Sequence, residues 1–174
     1  MDTGLGQGGA AVAALVTIAG TGVLAARAES WPMFAAGCLL VWCACLSAAD
    51  IASRRLPNAL TVPGAAVVLV SATVAGQGRA ALVGAALLAG LYLAAHLAVP
   101  TGMGGGDVKL ALGLGAVTGA AGAQAWVLAA LGAFALTAAV GVVLLASGRR
   151  GRAVPHGPSM CLATLLALGV TALG

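Results

Sequence analysis

Apolar residues run through this chain in long blocks, and the polar positions gather between them. Seven blocks can be drawn, roughly 9–26, 32–49, 59–75, 80–99, 107–121, 123–147 and 157–173. About 20 apolar residues are enough to carry a helix across a bilayer core. The pattern therefore predicts an all-α fold, a polytopic transmembrane helical bundle of about seven spans. A membrane β-barrel would instead alternate apolar and polar positions in segments of about ten residues, and no such alternation is present. The weakest boundary lies at Gly119–Gln124. Residues 107–147 read either as two helices with a tight turn or as one broken helix, which would reduce the count to six spans. No linker, repeat or soluble domain interrupts the pattern, so 1–174 reads as a single domain. Ala26-Arg27-Ala28 resembles a small-x-small cleavage site, but the preceding segment carries Asp2 and no basic residue. Residues 1–30 are accordingly expected to hold a retained N-terminal span.

Composition agrees with this picture. Of the 174 residues 61% are hydrophobic and only 7% are charged, against about 25% charged in a soluble domain. There are 27 glycines while aromatics make up 3%, and small residues let helix backbones approach closely in lipid. The net charge of +4 comes from residues placed between the apolar blocks. That placement indicates membrane topology and lipid contact rather than a nucleic-acid partner. With the N-terminus in the cytoplasm, the inner loops hold Arg54, Arg55, Lys109, Arg149, Arg150 and Arg152, and the outer loops hold Arg27 and Arg79. Six basic residues against two satisfies the positive-inside rule and favours seven spans over six. The four cysteines, Cys38, Cys43, Cys45 and Cys161, form no CxxC pair. They read as small buried hydrophobes, with Cys43 and Cys45 on different helix faces, and neither a metal nor a cofactor is expected.

The chain has four acidic residues. Asp2 is terminal, and Glu29 lies beside Arg27. Asp50 and Asp107 each sit at a span boundary among apolar residues, where an ionisable group is a functional candidate by default. Asp50 ends VWCACLSAAD and opens IASRRLPNALTVPG. Pro57 blocks helix continuation, Asn58 and Thr61 suit the start of the next span, and Arg54 one turn on offers Asp50 an ordinary ion pair. Asp107 follows three glycines in TGMGGGDVKL, where it could equally serve as a capping aspartate. Both fall on the inner face by a count that used basic residues alone. Two carboxylates sharing a partly dehydrated site cannot both ionise easily. Such a pair supplies one base and one acid, as in the aspartic proteases. On the same face, Val154-Pro155-His156-Gly157-Pro158 fixes a turn and opens the last span.

These three segments, in this order, resemble the type IV prepilin peptidases among the GxGD membrane aspartyl proteases. Asp50 with Arg54-Arg55-Leu56-Pro57-Asn58 is similar to the first aspartate segment of that family. Gly104-Gly105-Gly106-Asp107-Val108-Lys109-Leu110 is similar to the GxGDxK segment, and Pro155-His156-Gly157-Pro158 to a late Pro-x-Gly-Pro turn. The resemblance covers roughly 35–174, which would be the catalytic core. It implies that Asp50 and Asp107 are catalytic and that Arg54, Pro57, Asn58, Gly104, Gly106, Lys109, Pro155, Gly157 and Pro158 are supporting motif positions. It also implies a multi-pass protein of the inner, cytoplasmic membrane that removes the basic leader of prepilin-like substrates at the cytoplasmic face. His156 departs from the family, which usually has an aromatic residue there, so a pH-sensitive contact is expected. The cysteine-rich domain of longer members is missing, which argues against methyltransferase activity. The short build is similar to the compact enzymes of tight-adherence pilus systems or to archaeal preflagellin peptidases. A dyad at the membrane edge reaches only a bond just before a transmembrane segment, so the expected substrate is a short basic leader, a glycine, and a long apolar helix.

Two other classes fit the composition. A small transporter or channel could use Asp50 and Asp107 as ion sites, although such sites lie near the midplane. A non-catalytic assembly scaffold would tolerate Asp→Asn changes at both positions.

Overall fold

The structure, a computed structural model, describes residues 31–99, 103–148 and 154–173. Six helices make up almost all of it: α1 (Trp31–Ser53), α2 (Asn58–Val74), α3 (Gly78–Ala98), α4 (Gly105–Ala121), α5 (Ala123–Ala146) and α6 (Gly157–Leu173). They match six of the seven expected spans to within a few residues. The span expected at 9–26 and the Arg149–Arg152 cluster lie outside the described residues. The α1, α3 and α5 helices are long and apolar enough to cross a membrane. The α2 and α6 helices are shorter and apolar, and α4 carries Asp107 and Lys109 near its start.

The break between α4 and α5 is real, and it consists of one residue. Gly122 takes φ 117° and ψ 169°, a backbone shape closed to residues with a side chain. The segment 107–147 is therefore two helices.

The α4 helix is the centre of the bundle and touches α2, α3, α5 and α6. Small residues make this position available. Cβ atoms added to Gly84, Gly115 or Gly119 would run into the backbone of the facing helix: Gly84 into the Gly115 carbonyl, Gly115 within 2.5 Å of the Gly84 carbonyl, and Gly119 within 2.7 Å of the Ala80 carbonyl. The α3–α4 contact is thus backbone on backbone. Trp126 at the start of α5 locks the same corner by donating its indole N–H to the Gly84 carbonyl at 3.0 Å. On the other side, the Trp42 ring lies in a slot between Gly64 of α2 and Gly113 of α4. Its indole N–H reaches the Leu60 carbonyl at 3.0 Å, in the turn where Pro63 interrupts the hydrogen-bond ladder of α2.

The interior is consequently lined by Ala and Gly, with Trp42, Tyr92, Leu46, Leu88, Leu110, Leu114 and Met160 among the large buried groups. The bulky residues Val83, Leu87, Val142, Leu145 and Leu166 point outward. This is the arrangement of a bundle whose solvent is lipid. Cys43 and Cys161 are buried as expected, but Cys45 is exposed and Cys38 only partly covered. Cys45 is two residues from Cys43, and its face of α1 has no helix against it among the described residues.

Candidate active site

Helix connectivity brings the ends of α1, α3 and α5 and the starts of α2, α4 and α6 to one end of the bundle. Asp50 and Asp107 are both there, only 7% and 8% exposed, and close enough to feel each other's charge.

Each aspartate is held in the same way, by the backbone N–H of a glycine from another segment or turn. Asp50 sits one turn from the end of α1. Its Oδ2 accepts from the Gly157 N–H at 2.9 Å, across the α1–α6 contact. Gly157 opens α6, so this N–H is one of the unpaired donors of a helix start. A side chain at Gly157 has no room: its Cβ would lie 2.8 Å from Asp50 Oδ2. Asp107 is the third residue of α4 and reaches back to the cap position, where its Oδ2 accepts from the Gly104 N–H at 3.2 Å. The capping role and the site role thus coincide in one side chain. Asp50 Oδ1 and Asp107 Oδ1 make no hydrogen bond among the described residues, and neither is fully enclosed.

Of the supporting motif positions, Gly104 and Gly157 touch the aspartates and the others lie at the same end of the bundle. Gly106 lets the first turn of α4 approach Leu56, since its Cβ would meet the Leu56 Cβ at 3.0 Å. Lys109 Nζ donates to Asn58 Oδ1 at 2.8 Å, which ties α4 to the start of α2. Asn58 therefore does not cap α2 as expected; Pro57 occupies the cap position, with no side-chain cap. The expected Asp50–Arg54 ion pair is also not formed. Arg54 is exposed and takes φ 51°, a left-handed helix end. Its N–H closes the last turn on the Asp50 carbonyl at 2.8 Å. That backward turn sends the guanidinium away from the carboxylate. Pro155 and Pro158 flank the Gly157 turn.

Residues outside the three motifs complete the site. Tyr92 of α3 is fully buried, and its hydroxyl lies 2.9 Å from His156 Nε2. His156 Nδ1 lies 2.6 Å from Thr137 Oγ1 of α5. Thr137 Oγ1 also lies 3.0 Å from the Ala133 carbonyl of its own helix. Placing the hydroxyl proton on that carbonyl makes Thr137 accept from His156 Nδ1–H and His156 Nε2 accept from the Tyr92 hydroxyl. The His156 ring also packs against Tyr92 and Phe134, each with centroids 5.4 Å away. Burial holds its imidazole below the ordinary range, so it is neutral near pH 7. His96, also on α3, lies 2.7 Å from the Met103 carbonyl through Nδ1. Tyr92, His96 and Thr137 were not singled out by the sequence motifs. For Tyr92 and His96 the available signal was chemical, a polar ring inside an otherwise apolar span.

Among the described residues no cluster of three or more His, Cys, Asp or Glu side chains could hold a metal. No curated protein and no solved structure matches the chain. The profile of the type IV leader peptidase family does match, over residues 37–147. That stretch contains both aspartates and their flanking motifs, while the Gly157 turn joins them from beyond its end. With a match across most of its length, the chain belongs to the type IV leader peptidase family.

Proposed function

We propose that the chain is an aspartyl endopeptidase of the inner membrane. In this reading it removes the basic leader from type IV prepilin-like precursors, among them those of tight-adherence pili, at the cytoplasmic face. The observation that carries this reading is the pair of buried carboxylates, each held through Oδ2 by a glycine N–H, with no bond to Oδ1 among the described residues. An ionised carboxylate of the pair takes a proton from water. The protonated partner donates to the scissile carbonyl, so neither metal nor covalent intermediate is needed.

The substrate follows from the depth of the site. Its accessible bond lies where a leader meets an apolar helix, and that bond must be out of regular helix for its carbonyl to be attacked. Glycine before the bond assists, because it disfavours helix by about 1 kcal/mol relative to alanine. Lys109 is hydrogen-bonded to Asn58, and in this reading it stays on that partner rather than lining the path of a basic leader.

Co-expression with a prepilin-like substrate, scored by a mobility shift, tests the reading. Wild-type protein should process it, and Asp50→Asn and Asp107→Asn should each abolish processing while remaining inserted in the membrane. Appreciable cleavage by either variant would sink the dyad. Changing the glycine before the bond to alanine, valine and leucine should lower cleavage stepwise; equal cleavage of all four would refute the site geometry.

A further inference from the structure

The two aspartate-holding peptides share one more feature. Each glycine donor is preceded by a residue that is hydrogen-bonded to α3. His156 precedes Gly157 and is bonded to Tyr92. Met103 precedes Gly104 and is bonded to His96. Tyr92 and His96 are four residues apart and so lie one above the other on the same face of α3. We propose that Tyr92 and His96 are positioning residues, a two-point clamp by which α3 sets the placement of Asp50 relative to Asp107. This rests on the peptidase reading for its consequence in rate, but not for the hydrogen bonds themselves.

The two arms of the clamp act differently. On the Asp107 side, a carbonyl can only accept, so His96 Nδ1 carries the proton. The Met103 carbonyl and the Gly104 N–H belong to a single peptide group. The imidazole N–H on its oxygen polarises that group, and its own N–H then donates more strongly to Asp107 Oδ2. His96 thereby orients and strengthens the bond that holds the carboxylate. On the Asp50 side the link runs through a side chain. With the Thr137 proton on the Ala133 carbonyl, His156 is the Nδ1–H tautomer and Tyr92 donates to the remaining Nε2 lone pair. With both ring nitrogens bonded and the ring packed on Phe134, the His156 backbone is pinned. The next N–H, from Gly157, is then aimed at Asp50 Oδ2. The α3 helix is suited to this task because backbone contact with α4 gives it little freedom to shift.

The chain has two histidines, and the clamp assigns the same tautomer to both. Both rings should carry the proton on Nδ1 and leave Nε2 bare, opposite to the preference of a free histidine side chain in water. Nitrogen-15 spectra of histidine-labelled full-length protein in lipid nanodiscs, at mildly alkaline pH, read this directly, with His96→Asn and His156→Phe assigning the signals. Tyr92→Phe should shift the His156 Nε2 resonance and leave that of His96 in place. Kinetics then read the consequence. With a synthetic substrate of basic leader, glycine and apolar helix, Tyr92→Phe and His96→Leu should each lower kcat about tenfold or more, with KM unchanged. His96→Asn, which keeps a donor near the Nδ1 position, should recover most of the rate.

Proton on Nε2 of either ring would overturn the clamp whatever the activity. Wild-type rates in both Tyr92→Phe and His96→Leu, in protein that loses all cleavage on Asp50→Asn, would overturn it as well. An inactive wild-type chain that shows both Nδ1–H tautomers, with the His156 shift on Tyr92→Phe, would refute the peptidase reading and leave the clamp standing.

Discussion

At the scale of the residue, the site is governed by glycines and by one histidine. Gly157→Ala would push a methyl group within 2.8 Å of Asp50 Oδ2 and 3.2 Å of Asp50 Cγ. The carboxylate must rotate off its donor, so cleavage should fall about 100-fold. Gly90→Ala, where the added methyl meets open space, should cleave at the wild-type rate. Side-by-side cleavage assays decide it, with thermal unfolding as the control for folding. His156 makes a separate prediction. Burial lowers its affinity for a proton in the fold, whereas the unfolded chain titrates near 6.5. Its contribution to stability is therefore fully present above that value and is lost as pH falls through it towards the folded value. Unfolding midpoints in detergent should drop as the pH is lowered through that value, and His156→Phe should flatten the drop. The aspartates were legible in the sequence because they are rare polar groups at span edges. Tyr92 and His96 were less so: a polar ring in an apolar run marks a candidate, but its role shows only once the residues it touches are known. The Asp50–Arg54 pairing failed for a local reason, since spacing along a helix says nothing once the chain turns left-handed at Arg54.

At the scale of the element, the spans were legible to within a few residues. Proline at 57, glycines near 76, 104 and 122, and charge between apolar blocks punctuate them plainly. What the pattern could not settle was 107–147, because a single glycine breaks the helix without any polar loop. Gly122 does so by a backbone angle rather than by composition. Nor did the pattern show which glycines pack against a neighbour. Gly115 faces backbone atoms that cannot move aside, whereas Gly141 and Gly169 face open space. Gly115→Ala should destabilise the protein by about 1–3 kcal/mol, in the range of overpacked cores. Gly141→Ala should be neutral or slightly stabilising. Denaturation in a fixed detergent separates the two, and equal midpoints would show that α3 and α4 do not meet as closely as described.

At the scale of the whole molecule, the alternation of helices puts Ser53 at the end that holds both aspartates and Gln77 at the other. On a cysteine-free background, Ser53→Cys should react with an impermeant thiol reagent only from the cytoplasm, and Gln77→Cys only from outside. Labelling of both from one side would contradict the orientation drawn from the basic residues.

The placement of large side chains on the outside and small ones within bears on how such a chain diverges over time. In a water-soluble protein the surface drifts and the bulky interior is held fixed. Here the lipid-facing positions, such as Val83, Leu87, Val142 and Leu166, can exchange one aliphatic residue for another at almost no cost, because lipid fits any of them. The interior alanines and glycines cannot grow. Two descendants of one ancestor can therefore lose most of their pairwise identity while every helix contact and every glycine–aspartate bond stays in place. What survives is a thin scaffold of small residues and a few polar groups, which a family profile detects more readily than any comparison of two whole chains.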